Sequence, residues 1–266
     1  MAHELVTEDV WKYGRAPSED WRLYPGRRCG FSYLLRRSSI HSLAVVAPLG
    51  RSQVEVDRTT LTLDAYLSAA KVPTTGERYP LMLAGPCGTV AQQRALRLRE
   101  LPVFLGTLRN WHAVYSGATH DGAQVLTYAS WPNHVTDTVI VLADGAQVKA
   151  IGDSLGRSSG AHHLVELPGA VTVVDGGPEL VATYTFVPDP RSGALVLEGA
   201  PVPIVAMSQE LVRRSAPTLQ QAPLAELQQL RALAPEALPP QTLEGLARIG
   251  TKHSPIALTD MRGKAG

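Results

Sequence analysis

The sequence predicts an α+β fold with a strand-rich centre and a few flanking helices. Short apolar and β-branched runs recur through the middle of the chain, and turn signals such as Asp121-Gly122 and Asp144-Gly145 separate them at short intervals. Only a few segments have helical spacing. This pattern is typical of a closed or nearly closed sheet with helices packed on it.

Composition narrows the class of protein. The chain has 266 residues, of which 44% are hydrophobic and 18% charged, and its formal net charge is +1. These values exclude a disordered, fibrous or membrane protein. Near-neutral charge argues against nucleic-acid binding, so Arg36-Arg37 and Arg213-Arg214 are expected on solvated faces. Two cysteines, no signal-like N-terminus and no long apolar window predict a soluble, cytoplasmic protein without membrane contact.

The first predicted unit, residues 1–78, is an N-terminal extension. Its first 28 residues are polar and aromatic and are expected to lie as an irregular arm on the body of the protein. Strands are predicted at Phe31–Leu35 and Ser42–Ala47. A helix is predicted at Leu63–Ala70, with Thr62 as its N-cap.

The second unit, residues 79–190, is the predicted core. It begins with a strand at Leu81–Ala84, a turn at Gly85–Thr89 and a helix at Val90–Leu101. A second helix is predicted at Gly145–Leu155, and Trp131-Pro132-Asn133 is interpreted as a turn. The remaining strands are predicted at Val103–Leu105, Trp111–Tyr115, Val125–Tyr128, Asp137–Leu142, Val171–Val174 and Leu180–Phe186.

The third unit, residues 191–266, is predicted to be a helical appendage with a loose tail. Helical runs occupy Ser208–Ser215, Leu219–Leu233 and Gln241–Ile249. An apolar residue recurs every three positions in the second run, at Leu224, Leu227, Leu230 and Leu233. Such a stripe packs against a core more often than it binds a partner.

The Gly85–Thr89 turn carries the most informative chemistry. Backbone N–H groups at the start of a helix favour carboxylates or phosphates and lower the pKa of a nearby thiol, so Cys87 is a candidate nucleophile. The alternative is that Cys87 merely fits a tight turn. Its activation would need a nearby base, and the candidates are His112, His120, His162 and His163. They are candidates because imidazole can act as a base, since the sequence does not give their distance from Cys87.

Neither a metal nor a cofactor is predicted. Adjacent residues of a strand point to opposite faces, so His162 and His163 cannot easily share an ion. No spacing indicates that His112, His120 and His134 join Asp121 in one site, and nucleotide-binding, zinc and serine-hydrolase motifs are absent from the sequence.

Four stretches resemble the gamma-glutamyl cyclotransferase-like superfamily, in particular its uncharacterised actinobacterial-type members. They are Tyr79–Gln93, Leu101–Ser116, Asp137–Gly156 and Val171–Val187. The resemblance covers roughly Tyr79–Pro188 and implies a cyclotransferase-like mixed β-barrel. It also implies a pocket formed by Gly85–Thr89 and the helix that normally delivers a catalytic glutamate.

Two departures argue against ordinary gamma-glutamyl cyclisation. Pro86 stands where the family has its loop serine and removes an N–H donor. The glutamate position falls near Ser154 or Leu155, neither of which moves a proton at neutral pH. Asp153 is one or two residues away, and Glu166 could approach from the next segment. The candidate catalytic residues are therefore Cys87, Glu166 and Asp153, and the candidate substrate-binding residues are Gly85, Gly88, Thr89 and Tyr115.

Two functional hypotheses follow. The first is a divergent cyclotransferase-like protein that binds a small peptide or amino-acid derivative and performs amide or acyl chemistry on it in a specialised biosynthetic pathway. The second is a non-catalytic binding or scaffold protein that acts as a homodimer or heterodimer through the leucine stripe and the aromatic arm.

Overall fold

The structure is a computed structural model that describes residues 29–37, 39–84, 88–120, 123–159, 162–180, 183–204, 211–212, 215, 218–230 and 232–233. Within these residues the α+β class is confirmed, because a strand-rich sheet is accompanied by a few helices. The predicted N-terminal arm and the helix at Gln241–Ile249 lie outside them. None of the described helices is long and apolar enough to cross a membrane.

The first four strands are an antiparallel meander followed by a helix. They are β1 (Tyr33–Arg36), β2 (Ser39–Ala44), β3 (Gln53–Val56) and β4 (Thr59–Thr62), and the helix is α1 (Leu63–Ala69). The hydroxyl of Thr62 accepts a hydrogen bond from the Ala65 N–H, which confirms the predicted N-cap. The β3–β4 hairpin was not predicted. It turns at Asp57 and Arg58, which both have positive φ, as two-residue hairpin loops require.

The centre contains two strands much longer than predicted. Its elements are β5 (Tyr79–Leu83), α2 (Val90–Ala95), β6 (Leu101–His120), β7 (Ala123–Ala143) and α3 (Gly145–Ser159). The predicted turn at Trp131-Pro132-Asn133 does not end a strand. Arg109 faces Val135 while Trp111 faces Ser130, so one residue of β6 opposes four of β7. The turn signal therefore marks a large bulge inside a continuous strand.

The later elements are short. They are β8 (His162–Glu166), β9 (Val171–Val174), β10 (Glu179–Leu180), β11 (Tyr184–Pro188), β12 (Ala194–Leu197), β13 (Ala200–Pro201), β14 (Gln220–Ala222) and the one-turn helix α4 (Ala225–Gln228). The helix predicted over Leu219–Leu233 is wrong at both ends, because β14 pairs with β12 at its start and Leu233 forms a β-bridge with Leu164 at its end. Pro223 explains the extended backbone of Ala222, because the residue before a proline is pushed from helical to extended backbone.

The sheet does not close into the predicted barrel within the described residues. Its main path runs β4-β3-β2-β1-β6-β7-β5-β11-β8, and β5–β11 is its parallel pair. One edge of β6 pairs with β7, and the other pairs in turn with β1, β9 and β12. Three short strands therefore share one edge of the long strand β6, each pairing with a different part of it. Gly106 permits the approach of β9, because a Cβ there would lie 2.2 Å from the Val173 carbonyl oxygen.

Arg78 joins the end of β7 to the start of α3. It is buried, and its Nη1 donates to the Leu142 carbonyl and to Gln147 Oε1, both at 3.0 Å. Its Nε donates to the Pro73 carbonyl at 2.8 Å. Burial lowers the pKa of this guanidinium, an effect that nearby carboxylates oppose. The start of α3 is itself capped, because the Gln147 N–H donates to Asp144 Oδ1 and the Asp144 N–H donates to Gln147 Oε1.

The described side chains of the leucine stripe, those of Leu224, Leu230 and Leu233, pack against the body, as predicted, although they do not lie on one helix. Leu224 is buried in one core cluster, Leu230 packs on that cluster and Leu233 packs on another. The division of the chain at residues 78 and 190 stays a prediction. β12, β13 and β14, which follow residue 190, join the same sheet as the earlier strands.

Candidate functional site

A cleft of about 350 Å³ lies between α3 and β8. We call it the edge cleft, because β8 is the last strand of the main path. Its volume is in the range of small-molecule sites. The lining residues are Val148, Lys149, Gly152, Asp153, His162, His163, Leu164, Phe186, Ala232 and Leu233.

Helix α3 contributes a pair of opposite charges to the edge cleft. Lys149 Nζ lies 2.8 Å from Asp153 Oδ2, and the two side chains are 66% and 50% exposed. Residues four apart are neighbours on a helix surface, so the sequence spacing itself creates this pair. An exposed ion pair contributes little to stability. Both charged side chains are at least half exposed to solvent at the rim of the cleft.

The apolar wall of the edge cleft comes from both sides of the β8 strand. Leu164 faces Phe186 of β11 across the ladder, and the Leu233 N–H donates to the Leu164 carbonyl at 2.8 Å. The backbone groups of Leu164 thus point outward, away from β11. The C-terminal segment adds to the edge of the sheet at this point and forms part of the wall.

His162 and His163 both line the edge cleft, although neighbouring residues of a strand point to opposite faces. No group of three or more His, Cys, Asp or Glu side chains is placed to hold a metal within the part of the chain that the structure describes. The two histidines therefore line the cleft without forming a metal centre of that kind.

The predicted loop and helix are neighbours, although much of the loop is not described. Gly85 and Cys87 lie outside the described residues. Gly88 is buried, with Leu83 and Val139 beside it. The hydroxyl of Thr89 caps α2 by accepting from the Gln92 N–H at 3.3 Å. The Gln92 side chain donates to Ser154 of α3 at 3.5 Å, which joins α2 to α3.

The other predicted site residues do not meet at this loop. Tyr115 is fully buried in a core cluster that does not include Val139, the neighbour of Gly88. Val139 pairs with Leu105 of β6, and half of that 20-residue strand separates Leu105 from Tyr115. Asp153 lines the edge cleft. Glu166 is exposed at the opposite end of β8 from His162, about 13 Å along an extended strand.

Cys29, the described cysteine, is not a candidate nucleophile. It is 4% exposed, and burial raises its pKa to about 11. A thiol with such a pKa is almost fully protonated at neutral pH, whereas the nucleophile is the thiolate. Nucleophilic chemistry by a cysteine would therefore have to come from Cys87.

The sequence prediction missed Lys149 and Phe186. The spacing of Lys149 and Asp153 was a usable signal, but such pairs are common on helix surfaces. Phe186 gave no signal, because its role depends on β11 and β8 pairing. No known protein-family model matches the chain, and neither a curated protein nor a solved structure matches it.

Proposed function

We propose that this protein binds a small peptide or amino-acid derivative in the edge cleft. The observation that carries the proposal is the combination of an exposed Lys149–Asp153 ion pair with an apolar wall. A zwitterionic ligand offers an ammonium to Asp153 and a carboxylate to Lys149. Its apolar side chain is then matched by Leu164, Phe186 and Leu233.

The proposal includes a divergent relationship to the cyclotransferase-like superfamily. Contact between α2 and α3 through Gln92 and Ser154 supports it, because the family's pocket lies between the corresponding loop and helix. Acyl or amide chemistry on the bound ligand would use Asp153 of the edge cleft as the acid or base; the nucleophile predicted from the sequence, Cys87, lies outside the described residues. Turnover should then be lost in Asp153→Ala and Cys87→Ala.

A specific observation favours the second candidate, a binding protein without catalysis. The two residues at the family's glutamate position are engaged in packing: Leu155 packs against the core, and Ser154 is largely buried and accepts from Gln92. Neither can exchange a proton with a ligand at neutral pH. Binding without turnover of any dipeptide or acyl derivative is the expected result under this candidate.

Calorimetric titration of the full chain tests the binding itself. The probes are the dipeptide leucyl-leucine, which is zwitterionic, and N-acetyl-leucine amide, which is neutral. We expect the dipeptide to bind at least tenfold more tightly, and Asp153→Asn and Lys149→Met each to remove most of that preference. Asp57→Asn breaks the other described ion pair, Arg36–Asp57, and should leave the affinity unchanged. Absence of dipeptide binding at millimolar concentration would refute the proposal.

A further inference from the structure

Two histidines that are far apart in sequence are brought together on β6 and β7. His112 belongs to β6 and is 3% exposed, whereas His134 belongs to the bulge of β7 and is exposed. Their ring centroids are 5.2 Å apart and the rings are tilted by 59°. We propose that His112 and His134 form a two-imidazole site for a divalent first-row transition metal ion such as Cu²⁺.

The bulge holds His134 over His112. Asn110 Oδ1 accepts from the Asn133 N–H at 3.2 Å, and Asn110 Nδ2 donates to the Gly169 carbonyl at 3.0 Å. The Trp131 ring contacts both imidazoles, with centroids 5.7 Å from His112 and 5.4 Å from His134. The histidines are therefore brought together by the backbone of the bulge before any metal binds.

The separation of the rings suits a shared ion. Metal–nitrogen bonds are about 2.0–2.1 Å and imidazole nitrogens lie about 1.2 Å from the ring centre, so two imidazoles at about 90–110° around one ion have centroids about 4.6–5.3 Å apart. The observed 5.2 Å falls in that interval. Small side-chain rotations of the exposed His134 can then align its nitrogen.

The tautomer of His112 is also fixed for ligation. Its Nδ1 lies 3.0 Å from the Ala113 carbonyl, which can only accept, so Nδ1 carries the hydrogen and Nε2 keeps its lone pair. The neutral imidazole is the form that binds metals. A hydrogen-bonded second nitrogen is the usual arrangement of a metal-ligating histidine.

Water or a small exogenous ligand would complete the coordination, since no third His, Cys, Asp or Glu joins the pair among the described residues. Imidazole ligands suit Cu²⁺, Ni²⁺ and Zn²⁺, and Cu²⁺ is expected to bind most tightly of the three. Trp131 lies close enough to report binding by quenching of its fluorescence.

Titration of the metal-free full chain with Cu²⁺ tests the proposal. His3 can chelate Cu²⁺ together with a free amino terminus, so every sample carries His3→Ala. We expect saturable quenching that Trp131→Phe weakens and that His134→Ala shifts to at least tenfold higher Cu²⁺ concentration. Electron paramagnetic resonance should show two coupled nitrogens in the His3→Ala protein and fewer in His134→Ala.

The control is His41→Gln, because both ring nitrogens of His41 already contact Ser39 and Glu55. Its Cu²⁺ affinity should equal that of the parent. Thermal melting checks that His134→Ala, a change at an exposed residue, leaves the fold intact. Equal Cu²⁺ affinity in a folded His134→Ala, or no saturable quenching in the parent, would overturn the two-histidine site.

Discussion

The β6 strand and the α3 helix beside the edge cleft both contain glycines, but the space around these glycines differs. On β6, a Cβ added at Gly106 would meet the Val173 backbone oxygen at 2.2 Å. Beside the cleft, a Cβ at Gly152 would meet only the end of the Phe186 ring, at 3.0 Å, and a Cβ at Gly156 would meet nothing within 4 Å. At Gly106 the long strand thus has no spare volume beside the backbone, whereas α3 keeps space next to a movable side chain. A cleft that admits an organic ligand is expected beside α3, not at Gly106.

Gly106→Ala should cause the largest loss of stability. The new methyl group must displace the backbone of β9, and overpacking of this kind costs about 3 kcal/mol. Urea unfolding followed by circular dichroism measures the free energy of unfolding. Gly156→Ala is the matched control and should stabilise by about 0.5–1 kcal/mol, because alanine is the better helix former. Equal effects of the two substitutions would remove the contrast between the regions.

Gln147→Ala should lower the free energy of unfolding by an intermediate amount. It should weaken both the end of β7 and the start of α3. Its Oε1 accepts from Arg78 and from the Asp144 N–H, and its Nε2 donates to the Arg99 carbonyl at 2.7 Å. Loss of this buried amide removes these three hydrogen bonds and costs about 2 kcal/mol.

Hydrogen exchange should show the loss of protection caused by Gln147→Ala at the end of β7 and at the start of α3 together. Gln92→Ala removes a longer hydrogen bond, the 3.5 Å contact to Ser154, and should cost less than about 0.5 kcal/mol. If Gln147→Ala speeds exchange in α3 alone, Gln147 does not couple β7 to α3.

Gly152→Ala should change stability least and ligand binding most. The helix gains about 0.5–1 kcal/mol from alanine, and displacement of the Phe186 ring offsets much of that gain. We expect the melting temperature to move by less than about 3 °C. Dipeptide affinity should fall at least tenfold, because the methyl group and the displaced ring take up cleft volume. A large fall in melting temperature would mean that this region is packed as tightly as β6.

Much of the fold was predictable wherever one local signal decided the structure. Thr62 marked the start of α1, and Gly145 marked the start of α3. Long-range pairing decided the rest. The runs around Trp111 and Val125 are parts of two long strands whose ladder continues through a bulge, so turn residues there do not end a strand. Pro223 was a signal against a continuous helix that the leucine spacing outweighed.

The site was less predictable than the fold. Asp153 could be singled out because a resemblance and a helix position pointed to it. Lys149 and Phe186 become relevant only when α3 lies against β8, which no local pattern encodes. The same reason applies to His112 and His134: their separation in space depends on how many residues the bulge of β7 contains.

The hydrogen bond between Leu233 and Leu164 has a consequence for molecules that meet in a crowded solution. The outer edge of a terminal strand is a template on which another chain can add its own strand, and this is a common route to aggregation. Here the chain occupies the middle of β8 itself, at the Leu164 carbonyl. A neighbouring molecule would have to displace that segment before it could extend the sheet.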